Sequence, residues 1–153
     1  MEKEFLEMMH EHKKIIYKVV SFYANKESPF NDLYQEVVIN LWKGFPKFRG
    51  DSTASTWIYR IALNSCISFF RKESKKPVHV KLTWDISDHD NSEDISELYT
   101  LISRLGELER ALVLLYLEEK SYQEISDITG LTVTNVATKL GRIKNKLKEM
   151  SNE

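Results

Sequence analysis

The stretch SYQEISDITGLTVTNVATKLGRIKNKLK, Ser121 to Lys148, decides the fold. A short helical segment, YQEISDIT, follows Ser121 and stops at Gly130. Serine caps a helix start by accepting a bond from a free backbone N–H. Glycine suits the left-handed turn that closes one. Thr132 caps the next helix, which the pattern carries from Val133 to about Met150. Ser126, small, sits where two helices must approach, and Val136 packs the second helix back onto the first. Ile125, Ile128, Leu131, Val136, Leu140 and Ile143 share one core at helical spacing. This is the layout of a helix-turn-helix.

The second helix then turns Thr134, Asn135, Thr138, Lys139, Arg142 and Lys146 outward, with Lys144 also basic. Arg and Lys reach phosphates and guanine, and Asn can read adenine. If the five basic residues between Leu131 and Lys148 each neutralise a phosphate, they contribute about −4.5 to a log–log salt slope. The plainer alternative is a solvated basic helix end, because cations favour helix C-termini. The turn spacing and the two caps favour DNA.

Upstream, Ile95, Leu98, Leu101, Ile102, Leu105, Leu108, Leu112 and Leu115 step by three or four, with Ser92 as a start signal and Gly106 dividing the run into two helices. Before them, ESKKPVHVKLTWDISDHDN holds a proline, several acids and no sustained period. It reads as an acidic linker, residues 73–91, between domains at 1–72 and 92–153. The first domain reads as three helices: Glu2 to Ala24; about Phe30 to Lys43, begun by Ser28-Pro29 and closed by Gly44 and Pro46; and a third from near Thr53 to about Lys72, capped by Ser52. No segment reads as a strand. The expected class is all-α: two small helical domains on a tether.

The formal net charge of −1 conceals blocks of opposite sign. Residues 1–76 carry 13 basic and 9 acidic side chains, and residues 131–148 carry five basic and none acidic. The two acidic blocks lie between. Local blocks bear on nucleic-acid binding more than the total does. A lone cysteine, Cys66, cannot form an internal disulfide and suits a reducing cytoplasm. The charged start lacks the apolar core of a signal peptide, and no apolar run reaches membrane-spanning length, so no membrane insertion is expected.

Two runs carry a resemblance. DLYQEVVINLW (32–42) followed by KFRGDSTASTWIYRIALN (47–64) resembles conserved region two of bacterial RNA polymerase sigma factors. LGELERALVLLYLEEKSYQEISDITGLTVTNVATKLGRIKNKLK (105–148) resembles region four of the same family. The chain looks most like the extracytoplasmic function group, and the match covers nearly all of it except the linker. The resemblance implies a subunit that binds core RNA polymerase, reads the minus-thirty-five promoter element as duplex through region four, and reads and melts the minus-ten element through region two. It also implies an anti-sigma partner that clamps both domains.

By the same resemblance, Asp32, Leu33, Gln35 and Glu36 would meet the polymerase. Arg49, Asp51 and Ser52 belong to the loop that would receive a flipped base, and Trp57, Tyr59, Arg60 and Asn64 would face minus-ten DNA. Thr134, Asn135, Thr138, Lys139, Arg142 and Lys144 would face minus-thirty-five DNA. An extruded base costs a few kcal/mol to unstack, which ring stacking of about 1–3 kcal/mol per base offsets. Each group has a bland alternative. The acids of the second helix also complement its dipole. Trp57, Tyr59, Phe69 and Phe70 can simply pack in a core, and Trp42 is expected to anchor one.

The chain departs from the family at Ala137 and Gly141, which replace a basic and a bulky residue of the recognition helix, and at Gly106, which replaces a proline. Neither Ala137 nor Gly141 can make a bidentate base contact. Among other function classes, a stand-alone DNA-binding regulator would not need the DLYQE and TWIYRIALN runs. Catalysis finds no support: the four histidines are scattered or two apart, with no phosphate-cradling glycine loop and no Cys/His metal spacing. No cofactor is expected.

Overall fold

The computed structural model describes residues 1–25, 29–74 and 93–152. Among these residues there are α-helices and one short 3-10 turn, and no strand. The expected caps Ser28 and Ser92 lie outside the described residues, as does nearly all of the 73–91 linker. The chain divides into two compact units, Met1–Val80 and Lys81–Glu153.

The first unit is a three-helix assembly of α1 (Glu2–Tyr23), α2 (Phe30–Gly44) and α3 (Ala54–Ser74). Each contributes an apolar stripe at helical spacing. Ile16, Val19 and Val20 of α1, Leu33, Val37 and Leu41 of α2, and Ile58, Ala62 and Cys66 of α3 are fully buried. Each large one contributes about 1.5–3 kcal/mol by leaving water. α1 is broken at His12, whose φ of −114° and ψ of 17° leave the helical region.

Several expectations about this unit need correction. The cap of α3 is Thr53, not Ser52: the Thr53 hydroxyl accepts from the Thr56 backbone N–H at 3.1 Å. Trp42 is no core anchor, since it is 45% exposed and rests edge-on against Phe5, ring centroids 5.0 Å apart. α2 ends one residue later than expected, and Pro46 falls in the 3-10 turn Phe45–Lys47 that follows.

The second unit contains α4 (Glu93–Ser103), α5 (Glu107–Leu117), α6 (Tyr122–Thr129) and α7 (Val133–Ser151). Gly106 separates α4 from α5, and its N–H donates to the Glu109 carboxylate at 3.1 Å. α5 is buried continuously from Arg110 to Leu115 and forms the spine of the unit. Its end is a Schellman motif: the Lys120 N–H donates to the Leu115 carbonyl, and Glu119 takes φ of 60°. A non-glycine residue in that region costs about 1–2 kcal/mol.

Candidate nucleic-acid interfaces

The turn between α6 and α7 is held as its residues require. Ser121 and Glu124 form a reciprocal capping box: the Glu124 N–H donates to the Ser121 hydroxyl at 3.1 Å, and the Ser121 N–H donates to the Glu124 carboxylate at 3.0 Å. That backbone bond, first among its causes, holds the Glu124 carboxyl below the usual glutamate range. Gly130 has φ of 82°, the left-handed value a glycine adopts without a Cβ penalty. The Ser126 hydroxyl crosses the turn and donates to the Leu131 carbonyl at 2.5 Å. Thr132 accepts from the Asn135 N–H at 3.1 Å and opens α7.

Val136, Leu140 and Ile143 are the buried side of α7. Thr134, Asn135, Thr138 and Arg142 are exposed on its other side, and Lys139 is half-buried at the edge. Gly141 lies in open space on the outer surface, with nothing within 4 Å of where a Cβ would stand. Two of the basic residues are differently engaged. Lys144 lies over the Tyr116 ring of α5, 4.2 Å from its centroid, and Lys146 pairs with Glu109 of α5 at 3.1 Å. Lys144 and Arg142 are two residues apart and so point to nearly opposite flanks of α7. The structure therefore does not bring Lys144 onto the face that carries Thr138 and Arg142.

In the first unit, Trp57, Arg60 and Asn64 fall at i, i+3 and i+7 of α3 and share one stripe. Asn64 is exposed, and Trp57 and Arg60 are half-buried. Arg71 continues the stripe two turns on and is exposed; the sequence reading assigned it no DNA role, although the same spacing points to it. Phe48 lies flat on Trp57, with centroids 4.8 Å apart and planes 24° apart. That stack pins one end of the loop whose Arg49 and Asp51 are exposed, whose Ser52 is half-buried and whose Gly50 has φ of 76°. Gly44 ends α2 beside this cluster: an added Cβ would stand in contact with both Trp57 and Ile61, at 3.4 Å.

Tyr59 does not join the stripe. It is 3% exposed, on the core side of α3, so its ring is not available to a base. The reason is angular: two residues after Trp57 is about 200° around the helix. On α2, Asp32 and Gln35 are exposed and Glu36 is half-buried, but Leu33 is fully buried. Leu33 is thus a core residue that supports the acidic face and cannot touch a partner. Ile39 and Trp42, 47% and 45% exposed, continue the face of Asp32 and Gln35 along the helix. Their helical register with Asp32 was the sequence signal for this, and their apolar character hid it.

On the side of α3 that faces α2, the buried Ser65 hydroxyl donates to the Ile61 carbonyl at 2.6 Å and accepts from the Asn40 amide at 2.8 Å, tying α2 to α3. Cys66 beside it is buried, and burial pushes its thiol up to about 12. Among the described residues, no group of three His, Cys, Asp or Glu side chains is placed to hold a metal. No helix among them is long and apolar enough to cross a membrane.

A helix-turn-helix with a polar outer face, on one chain with a second helical unit, defines a class of DNA-binding transcription proteins. The comparisons make this specific. Residues 8–76 match the family described as Sigma-70 region 2, and residues 95–147 match Sigma-70, region 4. The chain is 30% identical to the RNA polymerase sigma factor YlaC of Bacillus subtilis, over 77% of this chain and 75% of that protein. It is 26% identical to the ECF RNA polymerase sigma-E factor of Haemophilus influenzae, over 90% of each. The fold resembles that of the sigma factor RpoE of Bartonella quintana, solved in complex with the anti-sigma factor NepR, at TM-score 0.73 and 18% identity over 99% of this chain and 96% of that one. The chain belongs to the sigma-70 family, in its extracytoplasmic function group.

Proposed function

We propose that this chain acts as an alternative sigma factor through three surfaces. The exposed Asp32 and Gln35, with Glu36 beside them, bind core RNA polymerase. The α3 stripe of Trp57, Arg60 and Asn64, with Arg49, Asp51 and Ser52 of the preceding loop, takes the minus-ten element. Thr134, Asn135, Thr138, Lys139 and Arg142 on α7 take the minus-thirty-five element. The role is non-enzymatic and cytoplasmic, and the nucleotide chemistry belongs to the polymerase. The working borders are a first domain at 1–72, a linker at 73–91 and a second domain at 92–153.

The observation that carries this reading is the joint presence of regions two and four in one chain, with Asp32 and Gln35 of the DLYQE run exposed and Glu36 half-buried beside them. Minus-ten melting follows from the chemistry of the stripe. Arg60 attracts the backbone, and the Phe48–Trp57 stack stands beside a loop that turns at Gly50, φ 76°. An anti-sigma partner is part of the proposal. CnrH was solved with the cytosolic domain of CnrY, as RpoE was with NepR, and both share this fold.

The test is gel filtration of the chain with bacterial core polymerase. Co-elution that disappears in Asp32→Ala/Glu36→Ala supports the reading. Duplex DNA binding without any polymerase complex sinks it and leaves a stand-alone regulator.

A further inference from the structure

α1 changes character at His12, where the helix is broken. Before the break it carries Glu2, Glu4, Glu7 and Glu11; after it, Lys13, Lys14 and Lys18 and no acid. The three lysines are exposed, and so is Tyr17, at 48%. Lys13 and Lys14 lie one turn before Tyr17 and share its side of the helix.

Tyr17 does not stand alone. Its ring lies 5.6 Å from Phe30 with planes 13° apart, and 5.4 Å from Tyr34 with planes 29° apart. Phe30 and Tyr34 are 5.8 Å and 17° apart. Three nearly parallel rings thus form one surface cluster where α1 meets the start of α2. Core packing does not need Tyr17 there, since Ile16, Val19, Val20, Leu33 and Val37 are already fully buried beneath. Partial burial raises the Tyr34 phenol further above neutral pH, so it adds no negative charge. Asp32, two residues from both Phe30 and Tyr34, falls on the opposite side of α2.

We propose that Tyr17, Phe30 and Tyr34, rimmed by Lys13, Lys14 and Lys18, form a binding surface for single-stranded nucleic acid. Stacked rings offer a base a flat apolar face, and the lysines supply charge complementary to its phosphates. The surface is separate from the Phe48–Asn64 region. Phe5, whose ring rests on Trp42 and Phe45, marks that end of α1, and Tyr17 lies twelve residues further, beyond the break at His12. An acidic protein segment is the competing occupant. It would use the lysines without needing the rings.

The experiment measures binding of a ~12-nucleotide fluorescent oligothymidine and of a duplex of the same length to the full chain, by anisotropy. Tyr17→Ala weakens oligothymidine binding about tenfold and leaves duplex binding unchanged, while Tyr17→Phe retains both. Lys13→Gln/Lys14→Gln makes the single-strand salt slope shallower by about 1.4. Equal oligothymidine binding by wild type and Tyr17→Ala overturns the proposal, as does a parallel loss of duplex binding. So does a polyglutamate probe that loses binding in the lysine variant while Tyr17→Ala leaves oligothymidine binding intact. Co-elution with core polymerase, followed in the same variants, reports on the proposed sigma role separately.

Discussion

Glu109 and Lys146 are 37 residues apart in sequence and 3.1 Å apart in space, and the same Glu109 oxygen accepts the Gly106 N–H. One carboxylate therefore joins the start of α5 to the basic end of α7. Together with Lys144 over Tyr116, it engages two of the five cations of α7 within the unit. The expected consequence is a shallower salt dependence than the residue count suggests. Arg142→Gln should make the log–log slope for duplex binding shallower by about 0.9, and Lys146→Gln by clearly less. Affinities at four or five salt concentrations decide it, and a full 0.9 change for Lys146→Gln would contradict the arrangement.

The Ser121–Glu124 box predicts a pH dependence. The folded-state Glu124 carboxyl is depressed, chiefly by the Ser121 N–H. Its contribution is therefore present above the ordinary glutamate pKa of about 4.3 and fades as pH falls through the lower folded value. Glu124→Gln should flatten the acid limb of the stability profile in denaturant melts between neutral and acid pH. Ser121→Ala should cost about 1 kcal/mol.

Two left-handed residues predict effects of opposite sign. Glu119 pays the Cβ penalty at φ of 60°, so Glu119→Gly should stabilise the protein by about 1 kcal/mol. Gly130 avoids that penalty at φ of 82°, with open space around it, so Gly130→Ala should destabilise by about 1–2 kcal/mol through backbone strain alone. Thermal melts of the two variants should move in opposite directions.

Cys66 should be inert in the folded protein. With the thiol buried and pushed up to about 12, almost no thiolate exists at pH 8. Alkylation should track unfolding as denaturant is raised. Rapid labelling of the native protein would show that the α1–α2–α3 core opens locally.

Much of this protein was determined by sequence alone, because the interactions concerned are local. Ser121, Gly130 and Thr132 fix where α6 begins, where it ends and where α7 begins, through hydrogen bonds and a backbone conformation set within four residues. The buried Val136, Leu140 and Ile143 likewise follow from helical spacing. Gly106 divides α4 from α5 for the same kind of reason. The tertiary structure alone decided which chemically suitable side chains face outward. Leu33 and Tyr59 sit inside suggestive motifs, yet each is buried, because its angle around its helix points at the two neighbouring helices. Trp42 went the other way and remains half-exposed against Phe5. The engagement of Lys144 and Lys146 by α5 was equally out of reach of the sequence. A cation's availability depends on the group that packing brings beside it, and Tyr116 and Glu109 reach α7 only once the core has set the crossing of the two helices.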